Sequence, residues 1–142
     1  MMRTLIFSSL LVLGLTACPS TQPAPSISAS GTWEGLENYP AQNDIPASSS
    51  NVRYVLVDTA GNLSGQLYDC SDGKFNCDPT SVNGSRNGNA VTLRYNSTLD
   101  DEVKTPIVVT TQGTLNGTTI SGTTTYPGGG STVTGTTSLT KK

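Results

Sequence analysis

The chain has 142 residues, a formal net charge of −2 and no histidine. Its length bounds it to one domain. The missing imidazole excludes His-based acid–base catalysis, Ser–His and Cys–His nucleophiles and His-ligated zinc or haem, and the few Lys and Arg argue against a nucleic-acid-binding face.

With 15 Gly and 8 Pro beside abundant Thr and Ser, the composition fits a small all-β domain or a disordered stalk. Residues 1–17 read as a signal peptide. Arg3 supplies the basic start and Leu5–Leu15 the apolar run. That run rises about 16 Å as a helix, too short for a hydrocarbon core of about 30 Å. Leu15-Thr16-Ala17-Cys18 resembles a bacterial lipobox, with Cys18 as the lipidation site. Lipidation with more than one acyl chain anchors stably. Residues 18–30 then form the lipidated Cys and a flexible Pro/Ser/Ala tether without charge. The expected location is the bacterial cell envelope, with the membrane as partner through the lipid. Pro19, in place of Asp, favours the outer membrane.

From residue 31 to 142 the apolar period is two, as in half-buried strands. Strands are expected near 31–37, 52–58, 63–69, 80–86, 90–96, 105–115, 118–126 and 131–140. Val91, Leu93 and Tyr95 share one face of their strand, and Thr92, Arg94 and Asn96 the other. Tyr54-Val55-Leu56-Val57 is apolar on both faces and is expected to be covered on both. Ala60-Gly61-Asn62, Asn87-Gly88 and Asn116-Gly117 mark hairpins, with Asn-Gly read as a type I′ turn. Short connections imply an antiparallel up-and-down meander, and about eight strands can close into a small barrel. Gly65, Gly84, Gly122 and Gly135 each follow an inward apolar residue by two positions, a pattern of sharp coiling or close backbone approach.

With Cys18 assigned to lipid, Cys70 and Cys77 remain. In an oxidising compartment they are expected to pair around a short turn-rich loop. Asp69, Asp72 and Asp78 around that loop, and Asp100-Asp101-Glu102 further on, lack EF-hand spacing and read as solvated turn acids. No metal or cofactor is expected. Asp58-Thr59-Ala60-Gly61 resembles an aspartic-protease turn, but Ala60 replaces the required Gly and no second copy exists. We therefore read it as a hairpin, and no catalytic residue is expected.

Gly31-Thr32-Trp33-Glu34-Gly35 opens the domain. It resembles the G-x-W start of calycin-type barrels (lipocalins and avidins), and the wider pattern resembles small bacterial lipoproteins. The resemblance implies that Trp33 plugs one barrel end. It also implies a cation over that Trp, for which Arg94 is the candidate. Avidin ligand residues do not carry over, because Trp33 is the only Trp.

Two functions stay open at this stage. One is a monomeric, non-catalytic barrel binding a small apolar or glycan-like ligand, with Tyr54, Tyr68 and Tyr95 as contacts. The other is an envelope interaction protein with a filled barrel. A mouth lined by Tyr side chains favours the first; large inward residues such as Leu67, Val91, Leu93 and Tyr95 favour the second.

Overall fold

Alternation of apolar and polar side chains governs every element. A computed structural model describes residues 27–42, 44–70, 72–99 and 103–142. The expected signal peptide, Cys18 and the acidic run 100–102 lie outside the described residues.

The strands are β1 (Gly31–Tyr39), β2 (Ser48–Thr59), β3 (Asn62–Asp69), β4 (Thr80–Asn87), β5 (Ala90–Thr98), β6 (Pro106–Asn116), β7 (Thr119–Gly128) and β8 (Ser131–Lys141). Each pairs antiparallel with its chain neighbours, and β1 pairs with β8, so the eight strands form a closed barrel. Closure runs from Trp33 opposite Lys141 to Asn38 opposite Thr136. It leaves no open edge, a hazard in so Thr-rich a sheet.

Turn chemistry sets the register. Ala60 and Gly61 both have positive φ, at 52° and 88°, as a type I′ hairpin requires. The Asn-Gly hairpins differ from expectation by one residue. Asn87 pairs with Ala90, and Asn116 with Thr119, so Gly88 and Gly117 are the first central residues. Only the Gly has positive φ there, which is the type II′ pattern.

Inward positions form the core. Trp33, Tyr54, Leu67, Leu93, Leu115, Ile120 and Leu139 are fully buried. The expected faces of β5 are borne out, with Val91, Leu93 and Tyr95 buried. The expectation that β2 is covered on both sides is not. Val55 and Val57 are 37% and 55% exposed, because a single-layer barrel has one interior and these two side chains stand on its outer wall. The inward glycines are places of close approach. A methyl group at Gly65, Gly84 or Gly122 would overlap the carbonyl of Val55, Thr92 or Gln112 on the neighbouring strand. Removing those side chains is what permits strong coiling of a narrow barrel.

Candidate functional site

The two ends of the barrel are built differently. One end carries the tight hairpins at 60–61, 88–89 and 117–118. The other carries the connections 40–47, 70–79 and 99–105, together with the Gly129-Gly130 turn.

The tight end is sealed. Trp33 is completely buried there, and its indole N–H donates to the Ala29 carbonyl at 2.8 Å. Ala29 and Ser30, which the sequence places in the tether, dock onto the barrel. Asp58 draws them in. Its carboxylate accepts the Ala29 N–H and the Gly61 N–H, each at 2.9 Å, and Arg86 Nε at 2.5 Å. Its own N–H donates to Ser30 Oγ at 2.8 Å. Burial raises the Asp58 pKa, but Arg86 and the two N–H groups outweigh that and leave it lowered. The Asp-Thr-Ala-Gly segment is thus a structural corner. Lys141 Nζ lies 5.4 Å from the Trp33 ring centroid. The cation over Trp33 is therefore Lys141, set opposite it by the closure register, whereas Arg94 is exposed on the outer face of β5.

The long-loop end is open. Cys70 and Cys77 are joined as expected, and the bridge folds the 70–79 loop so that Phe75 lies under Arg53, 4.4 Å from ring centroid to guanidinium. Gln42 fixes the 40–47 loop to β8, its amide exchanging two hydrogen bonds of 2.8 Å with the Thr134 backbone. The Leu99 N–H donates to the Thr105 carbonyl at 2.9 Å and closes the third loop.

Within this mouth lies a cavity of about 210 Å³ lined by Glu37, Tyr39, Asp69, Tyr95, Ser97, Thr98, Leu99, Ile107, Val109 and Tyr126. Glu37 is its floor and is only 2% exposed. Its carboxyl group accepts the hydroxyls of Tyr54 at 2.7 Å, Tyr39 at 3.2 Å and Tyr95 at 3.4 Å. Burial raises the Glu37 pKa, and the nearby Asp69 carboxyl raises it further, against the lowering effect of the hydroxyls. Asp69 is itself raised by burial, partly offset by a hydrogen bond from Ser50. Tyr39 and Tyr126 stack edge to face, with centroids 5.3 Å apart.

Beneath Glu37 the polar groups continue across the interior. Tyr54 also hydrogen-bonds to Thr111, Thr111 to Thr124 at 2.8 Å, and Thr124 to Thr137. Thr137 stands opposite Glu37 across the β1–β8 closure. All four hydroxyl residues are buried and none of their side chains lacks a partner, so the network is complete. Below it the barrel is filled by side chains.

Of the expected contact residues, Tyr95 lines the mouth and Tyr54 supports its floor. Tyr68 does neither. It has the parity opposite to Leu67 and points outward, where its hydroxyl donates to Gln66 at 3.0 Å. Glu37, Asp69, Tyr39 and Tyr126 take its place. The signal that could have found Glu37 is parity, since an inward Trp33 puts residues 35, 37 and 39 inward too.

Fold and site together describe a small antiparallel barrel, sealed at one end and open over an acidic, tyrosine-lined cavity at the other. The chain matches no protein-family model, and no curated protein or solved structure is significantly similar to it.

Proposed function

We propose that the chain is a lipid-anchored protein of the bacterial cell envelope whose barrel binds a small polar ligand, without catalysis, in its open mouth. The cavity over Glu37 carries this reading. A filled structural barrel has no need of a buried carboxyl at its opening, and burying one lowers stability. At about 210 Å³ the space is below the range of roughly 300–1,000 Å³ used for drug-sized ligands. It suits one sugar ring or a compact polar head better than an acyl chain. Of the two ligand classes expected, the walls favour the polar one, since Glu37, Asp69, Ser97, Thr98 and tyrosine hydroxyls face the space.

Chain direction supports access. Residues 27–30 approach the barrel at the sealed end, against Asp58 and Trp33. A lipid on Cys18 would join the barrel on the side of its sealed end and leave the mouth clear of the attachment.

Native mass spectrometry of the protein taken from its own envelope tests the proposal. The expected result is a retained compact polar molecule that is lost in Ser97→Trp, where the new ring fills the mouth. Bare wild-type protein would overturn it in favour of an envelope interaction protein.

A further inference from the structure

We propose that the mouth of the barrel is a site for a small organic cation, with Glu37 as its counter-charge, Asp69 at the rim and Tyr39, Tyr95 and Tyr126 around it. This rests on the reading of the mouth as a ligand site and adds the ligand's charge.

The first argument is an imbalance of charge. A buried carboxylate is normally paired with a cation, because desolvation alone is expensive. The groups that act most strongly on Glu37 are three tyrosine hydroxyls and a second carboxyl, Asp69. Three basic side chains form ion pairs away from the mouth. Arg53 and Lys142 both meet Glu34, at 2.5 Å and 3.4 Å, and Arg86 meets Asp58 at 2.5 Å at the sealed end. A bound cation would supply the missing charge between Glu37 and Asp69.

The second argument is the lining. Tyr39, Tyr95 and Tyr126 border the cavity, and aromatic rings attract a desolvated cation through their quadrupole. The hydroxyls of Tyr39 and Tyr95 point their hydrogens at Glu37, which leaves oxygen lone pairs as further acceptors. A groove of about 500 Å³ lined by Asp44, Ile45, Pro46, Leu99, Tyr126, Gly128 and Gly129 shares Leu99 and Tyr126 with the cavity. A substituent on the cation can leave by that route.

The third argument is the field around the opening. Glu37 and Asp69 line the cavity and Asp44 the adjoining groove, and no Lys or Arg of the described residues lines either. An acidic mouth concentrates cations and repels anions. A hard divalent metal ion is the poorer candidate, since it takes 6–8 oxygen ligands as calcium and no group of three or more His, Cys, Asp or Glu is gathered among the described residues.

The test compares ligands that differ only in charge. Choline, its neutral isostere with a quaternary carbon in place of nitrogen, and a neutral hexose are titrated at low ionic strength, following tyrosine ring resonances by NMR and affinity by calorimetry. Choline is expected to shift the Tyr39, Tyr95 and Tyr126 rings and to bind at least about tenfold more tightly than its isostere. Glu37→Gln and, as a rim variant that leaves the interior intact, Asp69→Asn should each weaken choline about tenfold and leave the isostere unchanged. Isostere or hexose binding as tight as choline, with the same ring shifts, would overturn the cation while leaving the mouth a ligand site. No ring shift with any of the three would overturn both.

Discussion

The sealed end and the open mouth of this barrel solve the burial of a carboxyl in opposite ways. At the sealed end Asp58 is surrounded by donors. Arg86, the Ala29 N–H and the Gly61 N–H satisfy its oxygens, and Lys141 covers the neighbouring Trp33 ring. At the mouth Glu37 is buried more deeply, but it meets neutral hydroxyls and the like charge of Asp69. The pKa directions record the difference: Asp58 is lowered and Glu37 raised. One end is arranged to hold the fold, and the other keeps an electrostatic demand that a ligand can meet.

The comparison breaks most severely at Trp33. Trp33→Ala should cost about 3–5 kcal/mol, the range for deleting a large buried aromatic, read as the midpoint shift in chemical denaturation. A cost near zero would mean that the sealed end does not hold the fold. Next in size is Asp58→Ala, which leaves the part-buried Arg86 without its carboxylate partner and frees two N–H donors. The expected loss is about 3 kcal/mol, with the larger part recovered in the double variant Asp58→Ala/Arg86→Met. If the double variant is no better than the single, the pair is not the unit that matters.

Much of the fold is legible in the sequence because its determinants are local. Alternation placed all eight strands, with bounds that differ by only a few residues in the structure. Cys70 and Cys77 lie within one loop, and Trp33 sits in a short motif. The mouth is harder to read because it is assembled across the barrel. Glu37 gathers Tyr54 from β2 and Tyr95 from β5, at sequence separations of 17 and 58. No local pattern announces that a glutamate between Gly35 and Tyr39 will meet those hydroxyls. Parity also decides Tyr68 against Tyr126: both are tyrosines in strands, but only one shares the inward face of its strand. Lys141 over Trp33 needs the closure register, which is fixed by the whole circuit of strands rather than by either residue.

The Cys70–Cys77 bridge belongs to the mouth, and its removal sharpens the contrast. Cys70→Ser/Cys77→Ser should cost about 2–3 kcal/mol through loop entropy in the unfolded chain. The same change should loosen the loop next to Asp69 and weaken ligand binding. Deletion at the sealed end should not do so in the population that remains folded. Equal effects of the bridge and of Asp58→Ala on binding would dissolve the distinction between the two ends.

The smallest expected effect has the opposite sign. Glu37→Gln keeps an oxygen acceptor for the tyrosines and removes the charge, so it should raise stability by about 1 kcal/mol near pH 8, because charged groups carry the larger desolvation cost. The pH dependence fixes the cause. Because the folded pKa of Glu37 lies above its ordinary value of 4.5, the folded state holds its proton longer than the unfolded state. Its contribution to stability is then present below pH 4.5 and lost as pH rises through the raised value. Asp58 runs the other way. With its folded pKa below 3.8, its contribution is present above that pH and lost as pH falls through the lowered value. Denaturation midpoints across pH should therefore show an acid limb that shrinks in Asp58→Asn, and a decline with rising pH that shrinks in Glu37→Gln and leaves the smaller part due to Asp69. A cation bound at the mouth should flatten that decline in the wild type as well, because it favours the ionised form of Glu37 in the folded state alone. If choline leaves the decline unchanged at a concentration that shifts the tyrosine rings, Glu37 is not the group that answers its charge.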